Sequence, residues 1–98
     1  MIDLLTPHDL LRTIARFVKE TRLSQNIKMA DLASRAGIGT ATLARIEKSG
    51  VCSTDTLVKI FAALGKLEQL ANALVPEEAA SIAELRHLAS KRRQRVRK

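Results

Sequence analysis

Thr40, Ala41 and Thr42, with Arg45 one turn further on, are the residues of this 98-residue chain whose types and spacing suit chemistry on a ligand. Leu43 and Ile46 take the apolar side of the same stretch, which leaves the two threonines, the alanine and the arginine outward at a helical period. Small polar groups, methyls and one long cation on the first turns of a short helix suit a surface that lies in a DNA groove. The rest of the chain offers little to a catalyst. His8 and His87 are far apart, with no cysteine or carboxylate at metal-ligand spacing. Cys52 has no base beside it in sequence, and no phosphate-binding glycine loop is present. Neither an enzyme, a metal site nor a cofactor is expected.

That outward helix needs a scaffold, and Ile27 to Gly50, IKMADLASRAGIGTATLARIEKSG, spells one. Leu32 and Ala33 give a first helix its apolar face, and Leu43 and Ile46 give a second helix its own. The two meet at Gly37, where the chain must enter a left-handed conformation, and only glycine does so without steric cost. Gly39 is an acceptable N-cap, and Ile38 at N′ can pack on Leu43 at N4.

Further elements flank this pair. Thr6-Pro7-His8-Asp9 opens a first helix with a Thr cap, Pro at N1 and an acid at N3 facing the positive end of the helix dipole. Its stripe is Leu10, Leu11, Ile14, Phe17 and Val18, and it ends near Arg22 or Leu23. Ser24-Gln25-Asn26 connects, with Asn26 suited to a left-handed turn. Helix two is expected from about Lys28 to Ala36 and helix three from Thr40 to about Lys48. Thr54 is the expected cap of helix four, with Asp55 in its first turn. Leu57, Ile60, Phe61 and Leu64 form its stripe, the cleanest amphipathic pattern in the chain, and Gly65 stops it. Leu67, Leu70 and Leu74 mark a short fifth helix. The spacing thus predicts an all-α fold: a five-helix domain over residues 1–75, then a linker, short helix and basic tail over 76–98. Ser81 and Glu84 have capping-box form and lead into a sixth helix, Ile82 to Ser90, whose apolar stripe would be covered by its own domain, a dimer mate or a different protein.

Composition agrees. Hydrophobic residues make up 46%, yet only Phe17 and Phe61 are aromatic, so Leu, Ile, Val and Ala carry the core, as helix packing prefers. No apolar run reaches 18 residues and no charged-then-apolar leader opens the chain, so neither membrane insertion nor secretion is expected. One cysteine excludes an internal disulfide and fits a reducing, cytoplasmic setting. The net charge is +7, but KRRQRVRK (91–98) holds six cations and no anion, leaving eleven cations against ten carboxylates before it. Such a block is either a solvated, unstructured arm, a nucleic-acid contact or a nuclear-import signal, and nothing else in the chain looks eukaryotic.

The segment RAGIGTATLARIEKSG resembles the lambda-repressor-like helix-turn-helix family, the Cro-like or XRE regulators, across roughly residues 10–65. Arg22 stands at the family's distance before the motif, and STDTLVKIFAALG (Ser53 to Gly65) matches the helix after it. The resemblance implies a transcription regulator that is cytoplasmic, bacterial and nucleoid-associated when bound, and that places helix three in the major groove of double-stranded operator DNA. By position it nominates Thr40, Ala41 and Thr42, with Ala44 and Arg45 on the next turn, for base edges. Thr donates or accepts, the methyls of Thr and Ala41 suit a thymine methyl, and Arg45 suits a bidentate guanine contact, a phosphate contact or a solvated position. Lys28 and Lys48 are nominated for phosphates. Helix two's N-terminus, with its free N–H groups, would also face one.

Two departures stand out. Met29 occupies the position where the family has Gln, so a bracing or DNA hydrogen bond is absent or replaced by apolar packing on a base. Lys28 replaces the usual capping hydroxyl. Arg22 and Glu47 match the family's ion pair. Taken as an exposed pair worth about 0–1 kcal/mol, it would orient helix three more than stabilise the fold, and Glu47→Ala would then weaken DNA binding more than melting temperature. Such domains bind as homodimers to half-sites about 34 Å apart, with helix five and the segment beyond it supplying the expected dimer surface. Finally, RAGIGTATLARIE, STDTLVKIFAALG, the Ser-led short helix and the KRRQRVRK ending together resemble HipB-like antitoxins, which implies autorepression and assembly with a HipA-type kinase toxin and a small accessory protein. A stand-alone phage-type repressor is the alternative.

Overall fold

The computed structural model describes residues 5–76 together with Arg86 and Ala89. Five helices follow in order: α1 (Pro7–Ser24), α2 (Met29–Ala36), α3 (Thr40–Ser49), α4 (Thr54–Ala63) and α5 (Leu67–Ala73). No strand occurs among the described residues, so the fold is all-α. The chain divides into two compact units, Met1–Gly65 and Lys66–Lys98. The first holds α1 to α4 and the second begins with α5. The expected sixth helix, Ile82 to Ser90, and the basic tail lie outside the described residues, apart from Arg86 and Ala89, whose backbone is helical.

In the first unit, α1 begins where its cap chemistry dictates. The Thr6 hydroxyl accepts from the Asp9 amide at 3.1 Å, and the Asp9 carboxylate accepts from the Thr6 amide at 3.1 Å. This closes a reciprocal capping box with Asp in place of the usual Glu or Gln. Of the expected stripe, Val18 is fully buried and Leu11, Ile14 and Phe17 are half-buried, but Leu10 is 49% exposed. Ala15 goes inside instead. The line facing inward is Leu11, Ala15, Val18 and Arg22 at i, i+4, i+7 and i+11, on the side where α1 approaches α3. Gly50, just after α3, marks that approach. A Cβ built there would fall 1.9 Å from the Leu11 carbonyl oxygen, and its φ of +75° is itself unfavourable to side chains.

Around this contact lies one core of Val18, Leu32, Ala33, Ala36, Leu43, Ile46, Ile60 and Leu64, with α2 packed on both α3 and α4. Phe17 stacks on Phe61 with ring centroids 5.0 Å apart, tying α1 to α4. Gln25 donates through Nε2 to the Leu64 carbonyl at 2.9 Å and so satisfies one of the open carbonyls at the end of α4. Gly37 takes φ +71° between α2 and α3, and Asn26 takes φ +57° before α2.

Two boundaries differ from expectation: α1 runs on through Ser24, expected in the connector, and α4 takes another cap. Ser53, not Thr54, caps α4: its hydroxyl accepts from the Thr56 amide at 3.1 Å, and Thr54 is already the first helical residue. Both hydroxyls are chemically suited to the role, and the one standing three residues before an unpaired amide takes it. In the second unit, Leu67 (43%) and Leu74 (70%) are largely exposed.

Candidate nucleic-acid interface

Helix α3 sorts its residues by face. Leu43, Ile46 and Glu47 are buried. Thr40, Ala44 and Lys48 follow one another at i, i+4 and i+8 along the outer side, with Ala41 and Arg45 on the adjacent line. Thr40, Ala41, Arg45 and Lys48 are exposed, whereas Thr42 and Ala44 are half-buried. Gly39 caps the helix without a side chain, so no carboxylate or hydroxyl covers the first amides from the cap position. Ile38, half-buried, packs against the core that contains Leu43 and sets the angle at which the chain enters α3.

At its far end α3 is fastened. The Ser49 hydroxyl donates to the Arg45 carbonyl at 3.0 Å and accepts from the Val51 amide at 3.1 Å. Gly50 then turns the chain left-handed, its amide donating to the Ile46 carbonyl at 2.8 Å.

The brace behind α3 is Arg22. Its Nε donates to Glu47 Oε2 at 2.7 Å and its Nη2 to Glu47 Oε1 at 3.1 Å, a bidentate charge-assisted pair. Nη1 donates to the Ile27 carbonyl at 3.0 Å. One guanidinium therefore joins the end of α1, the segment leading into α2 and the second half of α3. The Glu47 hydrogen bonds raise the Arg22 pKa above its ordinary value, outweighing the opposing effect of burial, so the cation is locked in. The pair is not the exposed one that the sequence leads one to expect: only 9% of the Arg22 side chain and 4% of that of Glu47 meet solvent. The figure of about 0–1 kcal/mol for exposed pairs does not apply to it. No buried side-chain nitrogen or oxygen among the described residues lacks a hydrogen-bond partner.

At the start of α2, Lys28 is exposed and is the N-cap, but its side chain makes no capping hydrogen bond. Asp31 stands in the first turn, on the positive end of the helix. Met29 is half-buried and packs against the core. Of the two fates expected for the missing Gln, this packing fits the first, a polar contact absent, with the thioether resting partly on the core instead.

Cys52 is half-buried, and burial pushes its thiol pKa up, away from the thiolate a nucleophile needs. Among the described residues, no three His, Cys, Asp or Glu side chains gather where they could hold a metal ion, and no helix is long and apolar enough to cross a membrane. Two features lacked a clear signal in the sequence. Gln25 reads there as a loop residue. The row of Arg12, Arg16 and Lys19 at i, i+4 and i+7 on α1 was legible as spacing but carried no motif.

A core of four helices that holds one short helix outward, fixed at both ends and braced from behind, defines a helix-turn-helix DNA-binding domain. A family profile described as helix-turn-helix matches residues 18–74, more than half of the chain. The chain belongs to the lambda-repressor-like (Cro-like, XRE) helix-turn-helix family, whose members are DNA-binding transcription regulators rather than enzymes. No curated protein and no solved structure matches it.

Proposed function

We propose that the chain is a sequence-specific regulator that grips operator DNA as a two-fold dimer, with α3 of each copy in a major groove. The observation that carries this reading is the outer face of α3, where Thr40, Ala41 and Arg45 are exposed on its first two turns. In this reading Thr40, Ala41 and Thr42 meet base edges, Ala44 and Arg45 follow on the next turn, and Lys28 and Lys48 hold phosphates. Met29 acts from inside, setting the height of α2 against the core. Arg22, Gly37 and Glu47 position these groups without touching DNA.

A domain of this size spans too few base pairs to be selective alone, and pairing two half-sites about 34 Å apart remedies that. Exposed Leu67 and Leu74 support a dimer surface built on α5 and the chain after it. The resemblance of the motif and ending to HipB-like antitoxins supports a finer reading, that of an autorepressing antitoxin of a HipBA- or HipBST-like operon, bound also to a HipA-type kinase and a small accessory protein.

Selection of bound fragments from a random DNA pool tests the first part. Recovery of a two-fold symmetric site with half-sites one turn apart supports it, and absence of any enriched sequence overturns it. Co-purification from cells tests the second. Capture of a kinase encoded beside this chain, abolished on deleting residues 76–98 while operator binding persists, supports the antitoxin. Operator binding with no kinase captured leaves a stand-alone repressor.

A further inference from the structure

Beside the second half of α3 lies a cleft of about 450 Å³ between it and α1, entirely within the first unit. Arg12, Arg16 and Lys19 rise along its α1 wall, and Lys48 closes it from α3. Among the described residues, none of these four cations has an ion-pair partner. Two carboxylates also line the cleft, Glu20 and Glu47, and Glu47 is already neutralised by Arg22. Four uncommitted cations thus face one uncommitted carboxylate. Such a concentration repels itself and attracts an anion of extended shape.

We infer that this cleft is a phosphate track: Arg12, Arg16 and Lys19 hold the DNA strand that borders the groove occupied by α3. The inference rests on the DNA-binding reading above and extends the interface from α3 onto α1. Two features favour the DNA backbone over an acidic protein segment. Lys48 belongs both to the cleft and to the outer line of α3 that runs through Thr40 and Ala44, so the cationic surface is continuous with the base-reading face. The row also matches a phosphate backbone in length. From Arg12 to Lys19 the helix rises about 10 Å, long enough for its cations to meet neighbouring phosphates of one strand. Neutralising these phosphates adds affinity without adding sequence preference.

The test compares two triple variants of the full chain. One removes the track (Arg12→Gln, Arg16→Gln, Lys19→Gln). The other removes equal charge from residues that do not line the cleft (Arg35→Gln, Lys59→Gln, Lys66→Gln). Both are first shown by circular dichroism to melt as folded proteins. Binding to the selected site and to a mixed-sequence duplex is then followed across a salt series. Every phosphate that a variant no longer neutralises lowers the slope of log K against log salt by about 0.9, so the track variant's slope is expected to fall by about 2 to 3 on both duplexes, with the same preferred sequence. The slope of the charge-matched variant is expected to fall by less than about 1. Equal reductions in the two variants, or an unchanged slope in the first, overturn the track while leaving the α3 reading intact. If the track variant keeps the wild-type slope but no longer binds a polyglutamate peptide that the wild-type chain retains, the cleft belongs to an acidic protein and the inference falls. If the wild-type chain binds neither duplex, the DNA-binding reading falls as well.

Discussion

Glu47 closes on Arg22 through two parallel hydrogen bonds of 2.7 and 3.1 Å, inside a site that leaves 4% and 9% of their side chains exposed. Removing one member strands the other as a buried charge, at a cost of about 3–5 kcal/mol. Glu47→Ala is therefore expected to lower the melting temperature by more than about 10 °C, since a domain of this size shifts by about 4–8 °C for each kcal/mol. Replacing both members by apolar residues (Arg22→Met, Glu47→Leu) is expected to recover most of that stability, because a buried pair is close to neutral against well-packed hydrocarbon. If the pair also aims α3, the double variant stays weak on DNA despite its recovered melting point. Thermal denaturation and a binding isotherm on the same samples separate the two effects. A single variant that melts like the wild type would deny the burial.

Two glycines with nearly the same left-handed φ differ in their surroundings, and the difference is measurable. Around Gly37 (φ +71°) an added Cβ meets nothing within 4 Å, so Gly37→Ala bears only the conformational cost, about 1–2 kcal/mol. At Gly50 the added carbon falls on the Leu11 backbone, which cannot move without parting α1 from α3. Gly50→Ala is expected to exceed the Gly37 variant in cost by about 1 kcal/mol or more, on the order of other overpacked sites. Urea denaturation of the two variants side by side checks this, and equal midpoints would contradict it.

These cases show what a sequence discloses of such a domain. Leu32, Ala33, Leu43, Ile46, Ile60 and Leu64 were readable as core because helical period alone assigns their face. Gly37 and Asn26 were readable because a left-handed turn admits few residue types. The depth of the Arg22–Glu47 pair was not, since charged residues look alike in sequence whether they lie at the surface or inside. Exchange of Leu10 for Ala15 on the inner face of α1 was hidden for a related reason: it depends on how closely α3 approaches, which no local pattern records. At Met29 the sequence leaves open a lost polar contact or apolar packing on a base, and what it does not disclose is that the thioether rests partly on the core.

The capping box of α1 makes an acid-sensitive joint. Hydrogen bonds from the backbone amide and then the side chain of Thr6 hold the Asp9 carboxyl below its ordinary value of 3.8, with smaller help from His8 and Arg12. A carboxylate depressed in the folded state contributes stability that is fully present above its unfolded value and disappears as pH falls through its folded one. The start of α1 is therefore expected to hold at neutral pH and down to about pH 4, then to loosen on further acidification. Titrating the Asp9 carboxyl by nuclear magnetic resonance should place its midpoint below 3.8. Asp9→Asn should flatten the acid dependence of the Thr6 and Asp9 amide signals, and a midpoint at or above the ordinary value would count against the box.

On the outer face of α3, Arg45 and Lys48 are both exposed cations one turn or less apart, yet they are expected to fail differently. Arg45 stands on the line of Ala41, nearer the start of the helix, and in the proposed docking its guanidinium meets a guanine edge. Its replacement by Ala is expected to cost about 1–3 kcal/mol on the preferred site and to relax the choice of base at one position. Lys48 stands at the last turn and lines the cationic cleft proposed as the phosphate track. Lys48→Ala is expected to weaken every duplex alike and to lower the salt slope by about 0.9, with the preferred sequence unchanged. Repeating the fragment selection and the salt series with each variant distinguishes them. If Arg45→Ala left the selected sequence unaltered and changed only the salt slope, Arg45 would be a phosphate contact, and the reading of bases would rest on Thr40, Ala41 and Thr42.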